Sequence, residues 1–155
     1  MSDAFTAIAA LNARYARCID DGELAGWPEF FTERCLYKVT TAENYADGLE
    51  GAVIYADSRA MLVDRVSALG EANIFERHAY RHILGAPFVV GEDGDGTRSE
   101  TSFVVVRIMR DGMTDVFASG RYVDVVRLDG GDAKLAERIV VCDSSRIDTL
   151  LALPL

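Results

Sequence analysis

The chain contains two histidines, His78 and His82, and they lie four residues apart. On a helix, residues at this spacing share one face at about 5–6 Å, which is close enough for two imidazoles to bind one metal ion. On a strand each residue advances the chain by about 3.3 Å, so the same pair lies about 13 Å apart. The secondary structure of residues 78–82 therefore decides whether the two histidines can bind one metal ion or have a simpler role.

The sequence around the histidines favours a strand. Ile83 and Val90 are β-formers, and Gly85 and Pro87 disfavour a helix through this region. A mononuclear zinc or iron site would also need a third ligand, and the chain has no third histidine. We therefore assign no metal ligand, and we expect a polar stretch of strand used for subunit contact or local hydrogen bonding. This stretch comprises Arg77, His78, Arg81 and His82.

General acid–base catalysis is the second chemistry that these residue types allow. Small folds that enclose a pocket can move protons with histidine, carboxylate and phenol groups. Their spacing in this sequence pairs none of them, so we assign no catalytic and no cofactor-binding residue. No Gly-x-Ser-x-Gly elbow and no glycine-rich phosphate loop is present either. By residue type alone, the acid–base candidates are Asp57, His78, His82, Tyr37 and Tyr122.

Length and charge narrow the class of protein. A chain of 155 residues predicts a single domain, 1–155, with a substantial core, since half of its residues are hydrophobic. The net charge of −9 argues against a nucleic-acid partner and against an anionic membrane surface. Cys18, Cys35 and Cys142 form no Cys-x-x-Cys pair, and neither a signal peptide nor a membrane-length apolar run is evident. We expect a cytoplasmic protein.

Predicted helices come first and predicted strands follow. A helix runs from a cap at Ser2 or Asp3 to about residue 20, a short helix spans 24–31, and a third helix begins at a cap at Asp57 or Ser58 and ends at Gly70. Short Gly- and Asp-rich turns join the later strands, so these strands should be antiparallel. The fold class is therefore α+β, with helices packed on an antiparallel sheet. The predicted strands are 35–41, 78–90, 98–110, 115–128 and 134–143, and 42–51 is a predicted loop.

The stretch 146–155 is apolar and contains no lysine. An exposed apolar segment is a liability for a protein in water, so we expect this stretch to pack on the protein's own core. Contact with a partner subunit is the alternative.

Several segments, in this order and spacing, resemble the small (β) subunit of Rieske non-haem iron aromatic-ring-hydroxylating dioxygenases. The resemblance covers nearly the whole chain, and each segment alone is weak. The segments are Trp27-Pro28-Glu29-Phe30-Phe31-Thr32, Cys35-Leu36-Tyr37-Lys38-Val39-Thr40, 56–65, 76–85, Phe117-Ala118-Ser119-Gly120-Arg121-Tyr122, 141–144 and 148–151.

The resemblance implies a curved, cone-shaped sheet of the NTF2-like or cystatin-like type. It also implies a large α subunit as partner, commonly in an α3β3 hexamer that brings β subunits together. The α subunit would carry the Rieske [2Fe–2S] cluster and the mononuclear Fe(II), with electrons from NAD(P)H through a separate reductase. The implied reaction is the cis-dihydroxylation of an aromatic carboxylate such as terephthalate.

The number of histidines also indicates that the metal-dependent catalysis takes place in another chain. A Rieske centre needs two histidines and a facial-triad iron needs two more, whereas this chain has two in all. We therefore expect no cofactor in this chain and a structural role within an oxidoreductase complex. The alternative is a free-standing NTF2-like dehydratase or isomerase that acts on a small hydrophobic substrate.

Overall fold

Helices packed against a seven-stranded sheet make up the fold. The computed structural model describes residues 3–48, 51–71, 78–129, 131–145 and 153–155, and the side chains of Gly70, Glu71 and His78 are outside the described part. The helices are α1 (Asp3–Asp20), a 3₁₀ helix (Leu24–Phe30), α2 (Ala42–Ala46) and α3 (Arg59–Glu71). The strands are β1 (Phe31–Thr41), β2 (Ile54–Ala56), β3 (His78–Leu84), β4 (Phe88–Asp93), β5 (Gly96–Met109), β6 (Thr114–Arg127) and β7 (Lys134–Cys142).

The apolar spacing of α1 explains its position on the sheet. Ile8, Leu11, Tyr15 and Ile19 recur every three or four residues and are all buried, so one face of the helix enters the core. On β1, Cys35, Tyr37 and Val39 alternate with more exposed residues and enter the same core. The helix α3 begins as the sequence predicts, because the Ser58 hydroxyl oxygen accepts a hydrogen bond from the Met61 N–H at 3.2 Å.

The strand order is β2-β1-β7-β6-β5-β3, and β4 also pairs with β5. The α+β class is confirmed, but the expectation of a wholly antiparallel sheet is wrong at one place, because β1 and β7 run parallel. The antiparallel rule holds for strands joined by short turns, such as β5, β6 and β7. The strands β1 and β7 are instead separated by most of the chain, so no turn constrains their direction.

Three local differences from the sequence-based expectation have clear causes. The predicted strand 78–90 is two strands, β3 and β4, because Gly85-Ala86-Pro87 interrupts it and Pro87 lacks an amide hydrogen for a ladder. The short helix before β1 is a 3₁₀ helix that contains Pro28. The predicted loop 42–51 begins with α2, whose first turn is capped by Thr41.

The 153–155 segment packs in the core, where Leu155 is fully buried and Leu153 is half-buried. The expected packing of the apolar ending is therefore confirmed for these three residues, and 146–152 lie outside the described part. Among the helices that the structure describes, none has the length and apolar character needed to cross a membrane.

Candidate functional site

His82 forms a tight pair with Asp20, the last residue of α1. The His82 Nδ1 lies 2.7 Å from Asp20 Oδ1, and the main-chain N–H of His82 donates to Asp20 Oδ2 at 2.9 Å. The His82 side chain is fully buried and that of Asp20 nearly so. One carboxylate thus satisfies two donors of β3, which fixes the end of α1 against this strand.

The pairing determines where the imidazole carries its proton. A carboxylate oxygen accepts, so Nδ1 must be the donor and Nε2 of a neutral ring is left as an acceptor. That is the arrangement of a general base held by a carboxylate. However, Nε2 is buried and has no hydrogen-bond partner among the described residues. A solvent-borne substrate therefore has no access to the atom that would accept its proton.

A depression of about 550 Å³ lies beside this pair. Its polar lining comes from Arg17, Asp21 and Arg81, all of which are exposed, together with Asp20 and His82. Arg17 pairs with Asp21 at 3.4 Å across one turn of α1. The depression is an open, charged surface feature that leaves the imidazole covered, so it does not form an enclosed pocket for a small hydrophobic substrate.

The second polar centre is an ion pair in the core. Arg138 on β7 is fully buried and donates from Nε and Nη2 to the two carboxylate oxygens of Asp124 on β6, at 2.9 and 2.8 Å. Its Nη2 also donates to Asn12 Oδ1 on α1 at 2.5 Å, and Asn12 Nδ2 donates to the Thr101 hydroxyl at 3.2 Å. Arg138 therefore connects the helix layer to three strands through hydrogen bonds.

Aromatic rings enclose the Arg138 guanidinium. Its central carbon lies 3.9 Å from the ring centre of Tyr122 and 4.3 Å from that of Tyr15, which are cation–π distances. Burial opposes the charge, but the Asp124 carboxylate raises the pKa of Arg138 above its ordinary value, so the side chain stays cationic. Burial also raises the pKa of Asp124 itself, although Arg138 counteracts this. The arrangement is a packed structural centre in which the charged groups contact one another and aromatic rings.

The other candidates from the sequence are dispersed. Asp57 is exposed before α3, where its N–H contacts the Met61 sulfur at 3.4 Å, and the carboxylate on His82 is that of Asp20 instead. Tyr37 and Tyr122 are fully buried, and burial raises the pKa of both phenols well above the ordinary value. His78 lies in β3 as predicted, four residues from His82 along a strand, and its side chain is outside the described part.

The candidates from the sequence include neither Asp20, at the predicted end of the first helix, nor the Arg138–Asp124 pair. A signal for the ion pair was present, because each charge shares a strand face with apolar residues. Asp124 alternates with Tyr122 and Val126 on β6, and Arg138 alternates with Val140 on β7. Opposite charges on the apolar faces of two neighbouring strands indicate a buried pair.

Metal chemistry requires ligands that converge. In the part of the chain that the structure describes, no three His, Cys, Asp or Glu side chains form a candidate metal site. His82 and Asp20 supply one imidazole and one carboxylate, whereas a facial-triad iron needs two histidines and a carboxylate. The residues of this pair do not fit an iron centre.

Comparison with known proteins gives a consistent result. Residues 14–149 match the family described as Ring hydroxylating beta subunit. The chain is 52% identical over 148 residues to the terephthalate 1,2-dioxygenase terminal oxygenase component subunit beta 1 of Comamonas sp, with 96% of each chain covered. It is 38% identical to the anthranilate 1,2-dioxygenase small subunit of Burkholderia cepacia, with 94% of this chain and 90% of that protein covered.

A solved structure has the same architecture. It is described as the beta subunit of an aromatic-ring-hydroxylating dioxygenase from Novosphingobium aromaticivorans, and it superposes with a TM-score of 0.90 at 43% identity. The match covers 98% of this chain and 97% of that one. The expected cone-type fold is therefore confirmed by a full-length superposition.

Proposed function

The chain belongs to the family of ring-hydroxylating beta subunits, and we propose that it is the structural small subunit of a dioxygenase that acts on terephthalate or a related aromatic carboxylate. The observation that carries the substrate proposal is the identity to the terephthalate 1,2-dioxygenase subunits of Comamonas sp along almost the entire chain. In this proposal the complex adds both atoms of O₂ to the ring and yields a cis-dihydrodiol. NAD(P)H supplies two electrons through a separate reductase.

The proposed division of labour assigns the metal chemistry to the large α subunit. A Rieske [2Fe–2S] cluster and a mononuclear Fe(II) would both be bound there. The histidine count and the burial of His82 Nε2 support this assignment. This chain would contribute no catalytic, cofactor-binding or metal-binding residue, and its buried polar centres would hold the fold rigid.

We further propose an α3β3 hexamer in the cytoplasm, with contacts to α subunits and to other β subunits. The surface supports a protein partner, since several large apolar side chains are exposed. Ile83, Phe88 and Val90 lie on β3 and β4, which both pair with β5, and are 57%, 69% and 54% exposed. Large apolar side chains exposed to this degree along neighbouring stretches of one sheet are typical of an interaction surface.

The test is to purify the chain alone and with an α subunit of the same family that is encoded next to it. Alone, it should be colourless, bind no stoichiometric iron and leave terephthalate unchanged. Co-expressed, the two should purify as one complex of a mass that fits three of each subunit. With reductase and NAD(P)H, that complex should convert terephthalate into its cis-dihydrodiol.

A different experimental result would contradict each part of the proposal. Iron–sulfur absorption in the isolated chain would refute the assignment of the metals to α. A complex that turns over another aromatic acid but not terephthalate would refute the substrate alone. A chain that stays separate from the neighbouring α subunit would refute the structural role, and dehydratase activity of the isolated chain would then favour the free-standing enzyme.

A further inference from the structure

The 153–155 segment occupies a recess inside the fold. Leu155 is fully buried and Pro154 is buried, whereas residues 143–145, the described residues that precede 146–152, are exposed. Leu155 belongs to the same core cluster as side chains from α1, the 3₁₀ helix and β1. A segment outside the helices and strands thus fills space at the centre of the fold.

Two buried phenols bind the main chain of this segment. The Tyr15 hydroxyl donates to the main-chain oxygen of Leu155 at 2.6 Å, and the Tyr37 hydroxyl donates to the same oxygen at 3.2 Å. The Leu155 N–H in turn donates to the Tyr37 oxygen at 3.1 Å. These contacts recognise a peptide group and an acceptor oxygen, and no polar side chain of the segment takes part.

Aromatic rings form the apolar wall around these phenols. Trp27 and Phe31 contact Tyr37 edge to face, with ring centres 5.1 and 5.8 Å apart. Phe31 also contacts Tyr15 at 6.3 Å. Trp27, Tyr15 and Tyr37 are all fully buried. An aromatic wall beside two convergent hydroxyls has the composition of a ligand site, with an apolar body and a few placed polar groups.

We propose that this recess is a binding site for short apolar peptides and that the 153–155 segment is its intramolecular ligand. The site recognises a branched aliphatic side chain together with an adjacent main-chain N–H and an acceptor oxygen. Attachment gives the segment a high effective concentration, so an added peptide cannot compete in the intact chain. Removal of the segment opens the site to a peptide of the same sequence.

The experiment compares the full chain with a chain that lacks residues 153–155. The probe is the peptide acetyl-Ala-Leu-Pro-Leu, and acetyl-Ala-Ala-Pro-Ala is the matched control. Trp27 is the only tryptophan, so its fluorescence reports directly on the wall of the site. The shortened chain should show a saturable change with the leucine peptide and none with the alanine peptide, and the full chain should show neither.

A substitution separates specific recognition from general apolar binding. Tyr37→Phe in the shortened chain keeps the ring and removes the hydroxyl, which should weaken peptide binding about tenfold. A Thr6→Ala change in the same background alters an exposed residue of α1 and should leave the affinity unchanged. Equal affinity for the two peptides, or no binding by the folded shortened chain, would overturn the proposal.

A second variant covers the case in which the shortened chain does not fold alone. Leu155→Ala retains the segment and weakens its apolar contact, so the leucine peptide should raise the melting temperature of this variant and not that of the natural chain. If the peptide stabilises neither the variant nor the shortened chain, the segment is an inseparable part of the core and the proposal is wrong.

Discussion

The Asp20 carboxylate accepts two hydrogen bonds from a single residue of β3. It accepts from both the main chain and the ring of His82, and the histidine side chain is fully buried. The side chain of its neighbour Asp21 pairs with Arg17 on the exposed surface. Two adjacent residues of one type thus have very different surroundings, which makes them a matched pair for measurement.

We predict that Asp20→Ala lowers the free energy of unfolding by about 2–4 kcal/mol, because it leaves two buried donors without partners. Asp21→Ala should change it by no more than about 0.5 kcal/mol, as expected for an exposed ion pair. Urea unfolding of the isolated chain at pH 7 measures both values. Equal losses for the two variants would contradict a special role for Asp20.

At the scale of the elements, β6 and β7 leave no room for a side chain at Gly120. A Cβ atom at this position would overlap the main-chain oxygen of Val141, which belongs to the sheet and cannot move aside. Gly91 on β4 has open space beside it, with nothing within 4 Å of an added Cβ. The sheet therefore requires glycine at one strand position and tolerates other residues at another.

We expect Gly120→Ala to destabilise the protein by at least about 3 kcal/mol, or to prevent folding, because the overlap forces two central strands apart. Gly91→Ala should stay within about 0.5 kcal/mol of the natural chain. Soluble yield and thermal unfolding compare the two variants. A well-folded Gly120→Ala protein of normal stability would show that β6 and β7 separate more easily than the contact indicates.

The elements also show what the sequence could predict. Helix α1 and strands β5, β6 and β7 followed from apolar periodicity and from Gly- and Asp-rich turns, since these signals are local. The parallel pairing of β1 with β7 did not, because no local signal links residues 100 positions apart. The same reason applies to the candidate site: His82 was evident by type, whereas its partner Asp20 lies 62 residues away in sequence.

At the scale of the whole molecule, buried ionisable groups make stability depend on pH. Burial raises the pKa of the Cys142 thiol to about 11, and burial likewise raises the pKa of Tyr15, Tyr37 and Tyr122. In each case the unfolded chain loses its proton at a lower pH than the folded chain. The stability that these four groups contribute is therefore fully present below pH 9 and decreases as the pH rises above their unfolded pKa values.

We predict that Cys142 alone accounts for a loss of about 3 kcal/mol between pH 9 and 11, with the tyrosines extending the loss above pH 10. Urea midpoints at pH 7, 9, 10 and 11 measure it. Cys142→Ala should remove this contribution between pH 9 and 11, whereas the contributions of Cys18 and Cys35, whose pKa burial also raises, should remain. An unchanged midpoint from pH 7 to 11 would mean that these groups ionise in the folded protein as they do in water.

The outer face of the sheet provides the remaining prediction. Ile83 and Phe88 pair with Val104 and Glu100 of β5, which alternate with the buried Thr101, Phe103 and Val105 and so face away from the core. We expect Phe88→Glu to weaken association with the α subunit at least tenfold without unfolding the isolated chain, since a charge would enter an apolar contact.

Val63→Glu is the matched control for this surface. Val63 is 46% exposed on α3, in the helix layer, so a charge there should leave the complex intact. Co-purification and sedimentation of the two variants with α measure the effect. Loss of the complex with Val63→Glu and not with Phe88→Glu would place the contact on the helix layer instead.

The parallel pairing of β1 with β7 also bears on how the chain is made. Strand β1 leaves the ribosome early, and its neighbours in the sheet are the three-residue β2 and the late strand β7. At about 5–20 residues per second, β1 waits about 5–20 s for β7. During that interval its buried face, with Tyr37 and Val39, has no finished sheet to join. Vectorial synthesis therefore leaves this apolar face without its strand partner, and prone to aggregation, until β7 has been made.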